Sequence, residues 1–229
     1  MFAVVQGFGP FGNFAVNPSE LLVRGLSARS QAEGGRDEGS QPDIVTEVLP
    51  VSLERTAAEI PKLIEQHRPQ VYLGVGLAAG RTALAVEAVA VNLADWPAGE
   101  ADADGVTVTR IPVADGGPAA HLTTLPVASI LQAWREAGIP GYLSQTAGSY
   151  LCNFSFYSAA QAVAELDLPC LVGFLHVPLL PDLITEPEKQ PSMAMDLQAK
   201  GLDLVLGACR AARAGGPDDR GGIYQGRTA

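Results

Sequence analysis

Short, unbroken apolar runs separated by helix-period segments constrain this chain more than any other feature. "FAVVQGF" (2–8), "VYLGVG" (71–76) and "CLVGFLHV" (170–177) are each too short for a membrane span and too apolar for an exposed edge, and "DIVTEVLPV" (43–51) reads as a further strand. A strand that is apolar on both sides has to be covered on both sides, which is the condition of a parallel sheet sandwiched by helices. The segments between these runs supply the cover. Ala57, Ile60, Leu63 and Ile64 recur at helical spacing, although Pro61 is expected to kink or shorten that helix. Val127, Ile130, Leu131 and Trp134 form a second stripe. A third helix carries Cys152 and runs to about Leu166, and a last one spans about 192–213. The expected fold class is therefore α/β: three α/β/α layers, with a mostly parallel twisted central sheet and helices on both faces.

Local signals refine this frame. Asn17, Pro18 and Glu20 read as a helix cap, a first helical residue and the acid of a capping box. The polar, glycine-containing stretch 27–42 reads as a surface loop, and "ALAVEAVAVNL" (83–93) as one apolar strand with a single acid, Glu87, inside it. Residues 1–213 are expected to form one domain, with the Gly-rich 214–229 a flexible tail.

Composition narrows the function. A net charge of -10 disfavours a phosphate-backbone partner, so no nucleic acid is expected. No apolar run reaches about 18 residues, so no membrane partner is expected either. The three cysteines, Cys152, Cys170 and Cys209, lie at unrelated spacings without a CxxC or a Cys/His cluster. That argues against a disulfide framework and against a metal site, and makes a reducing, cytoplasmic setting the default. "GFGPFG" (7–12) is a weak dinucleotide signal, because no acid closes a second strand to hold a ribose.

Three chemically loaded residues fall near strand ends, where open α/β sheets place their sites. Cys152 opens a helix after the strand "YLSQT", His176 closes "CLVGFLHV", and Glu87 is an acid in an apolar run. A thiol, an imidazole and an orienting acid are the parts of a cysteine nucleophile system. Each also has an ordinary explanation. Cys152 is a small hydrophobe at a junction, or a thiol whose pKa the helix N-terminus lowers. Glu87 could pair with Arg81, and His176 could be a satisfied core histidine.

The blocks "GFGPFGNFAVNPS" (7–19), "GLAAGRTALAVEAVAVN" (76–92), "DGGPAAHLTTLP" (115–126) with "SQTAGSYLCN" (144–153), and "GFLHVPLLP" (173–181) resemble, in order and spacing, the pyroglutamyl peptidase I (pyrrolidone-carboxylate peptidase) family of C15 cysteine peptidases. The resemblance implies Cys152 as nucleophile, His176 as general base and Glu87 as the acid orienting it. It implies Phe8 and Phe11 packing on a lactam ring, with Asn17 in the same substrate-binding block. It implies peptides with an N-terminal pyroglutamate as partners, no cofactor, and a homo-oligomer, expected as a tetramer. A catalytically weak relative that binds a pyroglutamyl-like ligand is the alternative.

The chain departs from the family pattern around these residues. "NLADWPAGEADADG" (92–105) lacks the arginine usual after Asn92, and Ala88, Ala85 and Leu179 stand where a basic residue, a hydroxyl and an aromatic are common. Oxyanion stabilisation is the part this thins, and one lost donor costs about 2.7–4 kcal/mol of barrier. Residues 94–105 carry no strand or helix period and are expected to be mobile without ligand. Trp96 would then fold over the pocket as a lid, or else pack elsewhere.

Overall fold

The computed structural model describes residues 1–12, 14–34, 43–184 and 190–215. In chain order the elements are β1 (Ala3–Phe8), α1 (Pro18–Gly34), β2 (Ile44–Leu49), α2 (Leu53–His67), β3 (Val71–Leu77), β4 (Leu84–Glu87), β5 (Val89–Val91), β6 (Ala120–Leu122), α3 (Val127–Glu136), β7 (Gly141–Ser144), α4 (Leu151–Glu165), β8 (Leu171–Val177) and α5 (Met195–Arg213). The main sheet has the order β2-β1-β3-β8-β4-β7. All its pairings are parallel except β4 against β8.

Side-chain alternation along the buried strands builds two cores, one on each face. Ala3, Val5, Leu73, Val75, Leu84, Val86, Leu175 and Val177 point towards α1, α3 and α5. Val4, Phe8, Tyr72, Val172 and Phe174 point towards α2 and α4. The sheet is thus covered on both sides, as its continuous apolar runs require. The parity also decides the site: Glu87 alternates with Val86, and His176 with Leu175, so both acid and imidazole face the layer that holds α4.

Several local expectations need correction. Helix α1 does not stop near Ser27 but continues to Gly34; the rest of the expected loop, 35–42, lies outside the described residues. The capping box is only half formed. Asn17 Oδ1 accepts from the Ser19 N–H, but the Glu20 carboxylate turns to Arg24 at 2.8 Å. Pro61 neither breaks nor shortens α2, because Pro61 and Ala57, whose carbonyl loses its partner, are both exposed and can use water. The buried face of α2 is Thr56, Ile60 and Ile64, with Ala57 outside it.

The run 83–93 is not one strand. At Ala88 the N–H donates to Ser144 O while the carbonyl accepts from Thr123 N–H, so the ladder changes partner there. β5 then pairs with β6 in a separate two-stranded ribbon, with His121 in β6. Of the expected tail, residues from 216 on lie outside the described residues. Among the described residues no helix is long and apolar enough to cross a membrane.

Candidate active site

Glu87 and His176 meet on the α4 face of the sheet. Antiparallel pairing sets Ala85 opposite His176, which brings the acid two residues further along β4 diagonally beside the imidazole. His176 Nδ1 lies 2.7 Å from Glu87 Oε1. Arg81, in the turn after β3, donates from Nη1 to the same oxygen at 2.7 Å. The two explanations of Glu87 suggested by its position, an acid oriented on a histidine and a partner for Arg81, therefore both hold, and on one atom. Glu87 is 0% exposed and His176 4% exposed. Glu87 Oε2 is buried without a hydrogen-bond partner among the described residues.

The electrostatics follow from this packing. Burial works against the Glu87 charge, but the hydrogen bond and charge of His176, the adjacent Ser144 hydroxyl and Arg81 outweigh it and hold the carboxyl below its usual range. Burial is also the main reason the His176 pKa lies below the ordinary histidine value; Glu87 opposes the shift and Arg81 adds to it. A neutral imidazole beside a charged carboxylate must donate from Nδ1, which leaves Nε2 as the lone-pair nitrogen.

Cys152 comes from the first turn of α4, whose N-cap residue Tyr150 makes no side-chain capping bond. Its sulfur lies over Gly76, where a Cβ would stand 2.8 Å from Sγ. Gly76 is the ladder partner of His176 between β3 and β8, so the thiol is brought to the histidine's immediate strand neighbour. The expectation that the helix N-terminus lowers the thiol pKa is not met. Burial first, then the Glu87 charge, push it up to about 12, with Arg81 pulling the other way. Both shifts favour the uncharged forms of the thiol and the imidazole.

The first-block residues are placed differently from one another. Phe8 is 3% exposed and belongs to the core under α2 and α4. Asn17 is buried and committed to its own loop: Nδ2 donates to Gly9 O at 2.9 Å, and Oδ1 accepts from Ser19 N–H and Ser19 Oγ. Phe11 is half-buried and lines a groove of about 550 Å³ together with Phe14, Glu100, Tyr150 and Leu183. That groove lies beside the start of α4, and Phe8 and Asn17 are not among its lining residues.

The segment 94–105 is held rather than loose. Asp95 N–H donates to Ser149 O, Ser149 Oγ donates to Asp95 O, and Trp96 N–H donates to Val108 O. Asp102 receives the N–H groups of Leu53, Asp104 and Val106, and Ala103 N–H donates to Val51 O. Trp96 is buried and packs edge-on against Tyr150 with ring centroids 4.9 Å apart, two residues before Cys152. It is a fixed wall beside the helix start and not a swinging lid, because its loop spends its backbone groups on neighbouring segments.

Residues that the sequence did not single out complete the surroundings. Asn153 Oδ1 accepts from Val91 N–H and its Nδ2 donates to Val91 O and Leu93 O, tying the first turn of α4 to β5. Ser144 Oγ donates to Thr146 O. Nothing in the spacing of these residues announced them; Gly76 alone, in a run "GVG" at a strand end, carried a hint of close approach.

Comparison with known proteins shows the family and the fold. Residues 1–212 match the family model described as pyroglutamyl peptidase. The chain is 38% identical over 203 residues to pyrrolidone-carboxylate peptidase 1 of Ralstonia nicotianae, covering 89% of this chain and 90% of that one. It is 35% identical over 206 residues to the pyrrolidone-carboxylate peptidase of Thermococcus kodakarensis, covering 90% and 94%. The crystal structure of pyrrolidone carboxyl peptidase from Pyrococcus furiosus superposes with a TM-score of 0.83 at 31% identity, covering 93% of this chain and 99% of that one.

Proposed function

The chain belongs to the pyroglutamyl peptidase family, and from that premise we propose that it hydrolyses the N-terminal pyroglutamyl residue from peptides with Cys152, His176 and Glu87 as its working residues. One observation carries the assignment of roles: the 2.7 Å Glu87–His176 contact beside the strand glycine over which the Cys152 sulfur lies.

In the first half-reaction the Cys152 sulfur attacks the pyroglutamyl carbonyl carbon while its proton passes to His176 Nε2. Glu87, accepting from Nδ1–H, stabilises the imidazolium that forms. The tetrahedral oxyanion is met by N–H groups at the α4 start, which the uncapped helix leaves without intrahelical partners. The imidazolium then protonates the leaving amine, the C–N bond breaks, and a thioester joins pyroglutamate to Cys152. In the second half-reaction His176 deprotonates a water that attacks the thioester and releases pyroglutamate and the thiol. The high resting pKa of Cys152 suits this order, since the proton leaves as the bond forms and not before.

The lactam is compact and uncharged, so a half-buried ring such as Phe11 can cover one face of it without a counter-charge. The same reading makes peptides bearing an N-terminal pyroglutamate the partners and the cytoplasm the setting, which cysteines that form no disulfide among the described residues support. It also makes the working form a homo-oligomer, expected as a tetramer; light scattering of the purified protein tests that.

The activity is tested with a chromogenic pyroglutamyl amide, before and after iodoacetamide. Release of the chromophore that stops when Cys152 is alkylated is expected. Binding of pyroglutamate with no turnover, or turnover indifferent to alkylation of Cys152, overturns the assignment.

A further inference from the structure

We propose that Arg81 is a positioning residue of this site: one guanidinium that clamps the Glu87–His176 pair to the segment leading into the Cys152 helix. The inference rests on the reading given above and goes beyond it, since it assigns work to a residue outside the nucleophile, base and acid.

The geometry is that of a fork with both prongs used. Nη1 donates to Glu87 Oε1 at 2.7 Å and Nη2 to Thr146 O at 3.2 Å. The guanidinium carbon lies 5.9 Å from the centre of the Tyr142 ring. One side chain thereby joins β4, β7 and the connection from β7 to α4. Its own backbone is anchored too, with Arg81 N–H donating to Ala78 O just past the end of β3. A lysine could supply the charge but not both directed bonds.

The way Glu87 is loaded shows what the clamp does. Oε1 takes both His176 and Arg81, while Oε2 is buried without a partner. Ser144 Oγ, in the strand register opposite Glu87, lies close enough to help hold the carboxyl charged while it donates to Thr146 O, the same carbonyl that Arg81 holds. A carboxylate gripped at one oxygen and free at the other would pivot about that atom. Arg81 fixes Oε1 from a second direction, so the position of the oxygen that accepts from Nδ1 does not rest on His176 alone. The charged and titratable groups at this point are Glu87 from β4, His176 from β8, Cys152 from α4 with Tyr150 just before it, Tyr142 from β7 and Arg81 itself. Arg81 is the one permanent cation among them. It favours the carboxylate and the thiolate and disfavours an imidazolium formed before substrate arrives: it adds to the lowering of the His176 pKa and works against the burial and the Glu87 charge that raise that of Cys152.

The test uses the full chain with Arg81→Met and Arg81→Lys. Two readouts are followed against pH: the rate of iodoacetamide labelling at Cys152, located by peptide mapping, and kcat/KM on a pyroglutamyl amide. A cation within a few ångströms shifts a neighbouring pKa by about one unit or more. Arg81→Met is therefore expected to slow Cys152 labelling about tenfold at fixed pH and to move the acid limb of kcat/KM upward by about one pH unit. Arg81→Lys is expected to keep labelling within about threefold, yet to lose at least about tenfold in kcat with KM little changed, because the fork is gone. A role confined to stability would lower the melting temperature and leave both pH profiles where they were, and that result overturns the proposal. Should Arg81→Met not fold, full wild-type kcat in Arg81→Lys overturns it equally. If the wild-type protein does not turn over pyroglutamyl amides, the peptidase reading fails while the labelling comparison still decides Arg81.

Discussion

The Cys152 sulfur and Gly76 lie so close that a Cβ on Gly76 would stand 2.8 Å from Sγ and 2.9 Å from Phe174 Cζ. Gly76 is also the ladder partner of His176, so the missing side chain leaves room for the sulfur beside the histidine's strand neighbour. Gly76→Ala should therefore displace the sulfur by part of an ångström without altering any polar group. Misplacement on that scale costs up to about 100-fold, so kcat is expected to fall at least tenfold while pyroglutamate binding changes little. Steady-state kinetics with calorimetric binding check this; an unchanged kcat would mean the thiol does not need that gap.

Glu87→Gln keeps the size of the side chain but not the charge that requires Nδ1 to be the donor. An amide can offer its NH2 to His176 and select the wrong tautomer. A loss of roughly 1,000- to 10,000-fold in kcat, with KM within a few-fold, is the expectation. A loss under about tenfold would reduce Glu87 to a structural partner of Arg81.

The pH dependence of stability follows from the site's titrations. The folded pKa of His176 lies below its unfolded value of about 6.5, so its contribution is complete above that pH and is lost as pH falls through and below it. Glu87 adds a second loss below about pH 4.3, complete once pH has fallen through its lowered folded value. Cys152 acts in the opposite sense. Its folded pKa of about 12 exceeds the unfolded value of about 8.5, so stability declines as pH rises above the latter. Melting temperatures measured from pH 5 to 10 should fall at both ends. Cys152→Ala should flatten the alkaline arm only, and equal alkaline slopes in the two proteins would contradict the raised thiol pKa. Cys170 and Tyr150, both also raised to about 12, keep that arm from vanishing.

Trp96 separates packing from gating. Its ring is buried against Tyr150, but its Nε1 has no hydrogen-bond partner among the described residues. Trp96→Ala should cost about 3–5 kcal/mol of stability. Trp96→Phe should cost much less, since it also removes a buried unpaired N–H worth about 1–3 kcal/mol. Chemical denaturation measures both. If Trp96→Phe leaves kcat and KM within about twofold, the indole is a wall; a parallel change in both constants would restore a gating role.

Much of this molecule is legible in its residue pattern, for a physical reason. Burial on both faces forces a strand to be continuously apolar, and 2–8, 71–76 and 170–177 carry that mark whatever surrounds them. An acid inside such a run has to find a partner, so Glu87 was conspicuous before its neighbours were known. Other features depend on groups distant in the chain. The break at Ala88 exists because its N–H and C=O are claimed by Ser144 and Thr123, which no local preference records. The continuation of α1, the survival of α2 through Pro61 and the tethering of 94–105 likewise turn on which backbone groups meet water and which meet another segment.

The site divides along the same line. Cysteine, histidine and glutamate could be named from their types and positions, since a side chain's chemistry travels with its identity. Their electrostatic state could not. A helix N-terminus argued for an acidic thiol, but its packed surroundings and the Glu87 charge made it a weakly acidic one. Which oxygen of Glu87 is shared, that Arg81 and His176 use it together, and that Gly76 leaves room for sulfur are consequences of strand order and side-chain parity. Those appear only when residues some 90 positions apart, Glu87 and His176 (|i−j| = 89), are packed into one low-dielectric layer.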